Sequence, residues 1–193
     1  MTIANPARGP AIASDHELWT RAAAGDRSAF GELFERHAEA VWNHAYRLTA
    51  SWAQAEDLTS STFLVAWRKC AEIRLVRDSA LPWLYTVAGN LARDERRGAT
   101  RFLRALRRVP DSSVEADHAD DVADRLDGDA RMARVLAAIQ SLPRAERQAV
   151  ELCLLGELPT ADAAELLGVA EVSVRSRISR ARARLRTKLE ELS

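Results

Sequence analysis

Residues 173–188, SVRSRISRARARLRTK, carry Arg175, Arg177, Arg180, Arg182, Arg184, Arg186 and Lys188 and no acidic residue. Guanidinium groups at this density pair with phosphate oxygens and, from a groove edge, hydrogen-bond to bases. On a helix turning roughly 100° per residue, Val174, Ile178, Ala181, Leu185 and Leu189 form one apolar stripe about 80° wide. Opposite the stripe stand Val172, Ser173, Ser176, Ser179 and Arg180. Arg175, Arg182 and Arg186 line one flank, and Arg177, Arg184 and Lys188 line the other. A helix of this design enters a major groove by its small-residue edge and offers its flanks to the two phosphate backbones. The serine hydroxyls and Arg180 suit base edges, and Val172 suits a thymine methyl. An ordinary solvated helix interleaves Glu with Arg for i,i+4 pairing; this one does not.

The elements around it must hold that edge outward. ADAAELLGVA, just upstream, reads as a short helix capped by Thr160 and a turn centred on Gly168, completing a helix-turn-helix. Before it, Met132, Val135, Leu136 and Ile139 step at helical spacing from near Asp129. LPRAERQAVELCLL follows Ser141, with Pro143 in its first turn and an end near Gly156. In the N-terminal part, Leu18, Trp19 and Ala22 predict a short helix stopped near Gly25–Asp26. Ser28 is the expected cap of a second helix, with Phe30, Leu33, Phe34, Val41, Ala45 and Leu48 inward. Residues 53–69 predict a third, burying Ala55, Leu58, Thr62, Phe63, Ala66 and Trp67. EIRLVRDSAL reads as a loop. A fourth helix starts at Pro82 and ends in the basic run Arg93, Arg96, Arg97.

No stretch alternates as a strand does. The expected fold is all-α: a loose tail (1–14), one helical domain (15–98), a flexible acidic linker (99–128) and a second helical domain (129–193). The formal net charge of zero over 193 residues conceals segregation. Arg101, Arg104, Arg107 and Arg108 form a basic patch without acids. Asp111, Glu115, Asp117, Asp120, Asp121, Asp124, Asp127 and Asp129 then face Arg125 alone. That segment has too little apolar surface to offset its chain entropy, so its charge reads first as solvation.

Cys70 and Cys153 match no metal or redox spacing, and His16, His37, His44 and His118 form no ligand cluster. No cofactor, metal site or catalytic residue is expected. There is no nucleophile–base pair and no glycine-rich phosphate loop, so the chain reads as non-catalytic. No apolar run of about 18 residues is present, and the N-terminus lacks a secretion signal. A cytoplasmic protein without membrane insertion is expected.

AEDLTSSTFLVAWRK (55–69) and PWLYTVAGNLARDERR (82–97), followed by LPRAERQAV (142–150) and AAELLGVAEVSVRSRISRARARLR (163–186), resemble a bacterial sigma factor of the extracytoplasmic-function (ECF) group. The resemblance covers about residues 15–98 and 130–190. It implies a promoter-specificity subunit of RNA polymerase. Its first block would be similar to sigma region 2, which docks on the clamp helices of the largest core subunit and melts and reads the −10 element. Glu56, Asp57 and Leu58 then fall on the polymerase-binding surface. Ser60 and Ser61 stand where many relatives have Gln-Glu. The loop 73–80 and the helix after it would read the −10 element, with Arg74 and Arg77 on phosphates. Asn90, Arg93, Arg96 and Arg97 would follow the DNA backbone. Trp83 is either a base contact or a core tryptophan.

The second block would be similar to region 4, which reads the −35 element; the core polymerase flap is its implied partner. Ala170, Ala163 and Ser179 depart from the usual Ser, Ile and His. In related proteins the linker threads the polymerase cleft, so acids at 111–129 would occupy channels meant for RNA. An anti-sigma factor is a further partner type that the resemblance brings, and the sequence does not decide whether one exists. Two rival readings stand beside it: a dimeric DNA-binding regulator on a symmetric site, which needs no core polymerase, and a protein-only adaptor, which an acid-free recognition helix disfavours.

Overall fold

A computed structural model describes residues 13–75, 78–106 and 123–190. Most of the expected tail, part of the expected linker (107–122) and Arg77 lie outside the described residues. Among the described residues the chain forms eight α-helices and one π-helical turn, and no strand.

Helix α1 (Asp15–Ala23) begins with a capping box. The Ser14 hydroxyl accepts from the Glu17 amide, and the Glu17 carboxylate accepts from the Ser14 amide, satisfying two orphan donors. Helix α2 (Arg27–Thr49) is capped by Asp26, not by Ser28: the Asp26 carboxylate accepts from the Ser28 and Ala29 amides. A carboxylate there satisfies the free amides and also meets the positive end of the helix dipole. Helix α3 (Trp52–Lys69) is capped by Ser51. Helix α4 (Leu81–Leu106) has Pro82 in its first turn, as expected, but runs past Arg97 into the expected linker. Arginine is a good helix former, and Gly98 alone is too weak a breaker to stop it.

Helix α5 (Ala123–Gln140) likewise starts inside the segment read as linker. Helix α6 (Arg144–Val150) has Pro143 at its N-cap and continues as a π-helical turn over Glu151–Leu155, ending at Gly156. Helix α7 (Thr160–Leu167) has Pro159 at its N-cap. Thr160 does not cap it; its hydroxyl donates to Glu171 at 2.6 Å, tying the start of α7 to the start of α8 (Glu171–Glu190). Gly168, at φ +62°, makes the left-handed exit that closes α7 at low cost.

The first four helices bury Leu18, Leu33, Val41, Leu48, Leu58 and Leu84. Phe34 departs from the expected inward face: it is 44% exposed and sits edge-on to Phe63 at the rim. Trp67 is half-buried against Phe30. The second block buries Leu136, Ile139, Leu142, Val150 and Ala181. The two blocks do not stand apart. One apolar cluster joins Leu84 and Tyr85 of α4 to Ala149, Leu152, Ala163, Val174 and Ile178. Each fully buried Leu or Val contributes about 2 kcal/mol, so this shared cluster packs the halves together.

Candidate nucleic-acid interface

Helix α8 turns its apolar stripe inward, as its spacing predicts. Val174, Ile178 and Ala181 are buried, and Leu185 and Leu189 half-buried. Val172 is 64% exposed, and Ser176, Ser179, Arg180 and Arg182 are also exposed, while Ser173 is half-buried. The two flanks, however, differ. Glu146 of α6, only 6% exposed, receives Arg180 Nε at 3.3 Å and Arg184 Nε at 3.1 Å. Arg180 also donates to the Ser176 hydroxyl at 2.6 Å, and Lys188 Nζ to that of Ser141 at 2.6 Å. Arg177 is half-buried on the same side. That flank, with Arg180 drawn onto it, is tethered to its own block. On the other flank Arg182 and Arg186 are exposed and make no ion pair among the described residues, while Arg175 pairs with Glu171 at 2.9 Å.

The second set of predicted residues lies on α4 and the loop before it. Arg74 is exposed and lines a small recess with Leu75, Ser79, Pro82 and Trp83. Trp83 is half-buried, its ring edge-on to Trp19 at 5.3 Å; it thus belongs to the core by one edge and to the recess by the other. Asn90 is exposed and accepts from Arg93; Arg97 is exposed beside Asp94. Arg93 and Arg96 are half-buried. Arg96 donates to the Leu48 carbonyl at 3.2 Å.

What covers these groups comes from the other half of the chain. Asp162 and Glu165 of α7 complete the wall of the recess. Glu151, in the π turn, is 3% exposed and stands 3.9 Å from Arg93 and 4.0 Å from Arg147. Burial pushes its carboxyl above the usual range, against the pull of Arg93, Arg147 and Arg96. Burial likewise pushes the Arg93 and Arg96 guanidiniums down. Nearby, Arg47 of α2 donates to the Leu155 carbonyl at 2.8 Å and pairs with Glu157 at 3.0 Å.

Residues 33–102 match the Sigma-70 region 2 family and residues 132–185 the Sigma-70, region 4 family. The ECF RNA polymerase sigma factor SigL of Mycobacterium tuberculosis is 35% identical over 172 residues, 89% of this chain and 94% of that one. This chain belongs to the ECF RNA polymerase sigma factors. As such it is a promoter-specific transcription initiation subunit of RNA polymerase. The sigma factor NccH of Alcaligenes xylosoxydans is 30% identical, over 91% of this chain and 95% of its own. Among solved structures, CnrH in complex with the cytosolic domain of CnrY aligns at a TM-score of 0.63 and 27% identity, covering 93% of this chain and 99% of that one. RpoE in complex with the anti-sigma factor NepR from Bartonella quintana aligns at 0.56 and 26%, covering 83% and 96%.

In this sigma factor Glu56 and Asp57 are exposed on α3, but Leu58 is fully buried. Leu58 is therefore a core residue, as the apolar spacing of α3 predicts, and not part of the polymerase-facing surface that the family resemblance implied: one residue past Asp57 the helix has turned it inward. The surface beside Glu56 is aromatic instead. Trp52 is 64% exposed, donates its indole N–H to Glu56 at 2.9 Å and lies edge-on to Trp42 at 4.5 Å, with Tyr46 stacked on Trp42. The trio is not legible in the sequence because it is assembled from two helices, Trp42 and Tyr46 on α2 and Trp52 at the start of α3. No helix among the described residues is long and apolar enough to cross a membrane, and no group of His, Cys, Asp or Glu among them is arranged to hold a metal.

Proposed function

We propose that α8 reads the −35 element through Val172, Ser173, Ser176, Ser179 and Arg180. Arg175, Arg182 and Arg186 hold one phosphate backbone, with Arg177 and Arg184 towards the other. The observation that carries this reading is the open side of α8, where exposed Val172, Ser176 and Ser179 lie with Arg175, Arg182 and Arg186, which no acid across the fold engages among the described residues. The recess of Arg74 and Trp83 reads the −10 element. Asn90, Arg93, Arg96 and Arg97 follow the strand backbone; Arg77 belongs to this reading but lies outside the described residues. Glu56 and Asp57, together with Trp52, Trp42 and Tyr46, face the clamp helices of the core polymerase, and the second block faces its flap.

The chain supplies DNA address and strand opening and performs no catalysis; the polymerase does the chemistry. It works in the cytoplasm. An anti-sigma factor is a further partner, supported by the NepR-bound RpoE structure. The closed packing bears on this function. Arg93 reaches a phosphate only after α4 leaves the π turn, so the halves part when the promoter is engaged.

Reconstituting core polymerase with this protein on a randomised promoter library, and sequencing transcript starts, tests the reading. Core-dependent initiation with preferences in two separated blocks is expected. Loss of preference in the upstream block alone with Ser176→Ala and Arg180→Ala would tie that block to α8. Absence of core-dependent starts would sink the whole assignment.

A further inference from the structure

We infer that α1, which precedes the segment matched as Sigma-70 region 2, is the clamp that shapes the −10 reading loop, with Asp15 and Trp19 as its positioning residues. This rests on the −10 assignment above. The loop leaves α3 after Lys69 and enters α4 at Leu81. Helix α1 holds it at both ends. Trp19 donates its indole N–H to the Ile73 carbonyl at 2.9 Å. Asp15 accepts the Ala80 amide at 2.8 Å, and the His16 amide donates to Asp78 at 3.1 Å. The Trp19 ring then braces Trp83, the first aromatic of α4 and a wall of the recess.

Asp15 is itself immobilised. It is 4% exposed, and α2 supplies Arg36 at 2.6 Å and His37 as further donors. Burial opposes its charge, yet the Ala80 amide, Arg36 and His37 hold its carboxyl below the usual range. Arg36 also takes the Ala13 carbonyl at 2.9 Å, and the capping box fixes the start of α1. One buried carboxylate thus locks α1, α2 and the start of α4 together. A base leaving the stack is held only by a recess already formed, because ordering a free loop at that moment forfeits affinity. The grips at Ile73 and Ala80 fix the two ends of the loop and leave Arg74 exposed beside the first.

The test uses full-length protein assembled with core polymerase and a library randomised in both promoter elements. Trp19→Phe keeps an aromatic ring but removes the N–H together with the pyrrole part of the indole; Asp15→Asn keeps the shape and removes the charge. Both should flatten base preference in the −10 block and weaken binding to single-stranded DNA selected on the wild-type holoenzyme by about tenfold. The −35 preference and the affinity for core should stay as in wild type. Arg74→Ala and Trp83→Ala serve as loop variants. If they lose −10 preference while Trp19→Phe keeps it, α1 is only a structural helix and the inference fails. If −10 preference, −35 preference and core affinity all decline together in Trp19→Phe, it fails as well. If the loop variants also keep −10 preference, the underlying −10 assignment is wrong, and the inference goes with it.

Discussion

Glu151 lies 3.9 Å from Arg93, and the two residues belong to different halves of the chain. Removing one partner of a buried pair leaves the other charge uncompensated, at a cost of about 3 kcal/mol. Glu151→Ala strands Arg93 and Arg147 together and should loosen the packing of α4 on the π turn. Small-angle scattering should then give a larger radius of gyration. An unchanged radius would mean that the shared apolar cluster alone keeps the halves closed.

Gly156 offers a second handle on the same junction. A Cβ there would stand 2.7 Å from the Leu152 carbonyl oxygen and 2.9 Å from the Tyr85 ring. The first atom is backbone and cannot yield cheaply. Gly156→Ala should cost about 2 kcal/mol by overpacking, read as a lowered urea midpoint, and should make the chain easier to cleave between its halves.

His44 makes the fold acid-sensitive. It is 1% exposed and stacked on Tyr85 at 4.3 Å, and burial lowers its pKa to about 4. The unfolded chain takes up that proton first, so stability is full above the unfolded value and falls as pH drops from about 6.5 towards 4. At pH 5 the loss should be about 2 kcal/mol relative to neutral pH. His44→Phe keeps a ring against Tyr85 and should abolish this part of the pH dependence in urea unfolding.

Trp52 should matter for assembly more than for folding. It is well exposed, and it pairs with Glu56 on the face assigned to the polymerase. Trp52→Ala should weaken binding to core about tenfold or more, as aromatic anchors do, while changing the unfolding free energy by about 1 kcal/mol or less. Equal core affinity would remove this face from the proposal.

The unequal flanks of α8 divide its arginines by effect. Arg182→Ala removes a charge free to meet phosphate, so the salt slope of promoter binding should fall by about one. Arg184→Ala removes a tether to buried Glu146. It should change the slope less and lower thermal stability instead. Identical behaviour of the two variants would show that the tether dissolves on DNA.

The helices and their inward faces were largely legible, because apolar spacing reports which side of a helix is buried. Val174, Ile178 and Ala181 are the clearest cases. What one helix meets was not legible. Arg180 reads as free on a wheel, since Glu146 lies on another helix, whereas Leu58 reads inward from its spacing and only the family resemblance carries it outward with Glu56 and Asp57. Asp26 and Ser28 are both good caps by type, and only geometry separates them. Asp15 pairs with Ala80 across 65 positions, beyond any periodic signal. The π turn at Glu151 has the composition of an ordinary helix end; its wider turn is visible only in the hydrogen bonds.

The clamp around the −10 loop takes hold of a carbonyl at Ile73 and an amide at Ala80. Every residue except proline presents both groups, whatever its side chain. Exposed Arg74 takes no part in either grip and can be exchanged without loosening the frame, whereas the Asp78 side chain and buried Leu75 belong to it. On the −10 reading proposed above, base preference can then shift through exposed positions such as Arg74 while the frame that holds them stays the same.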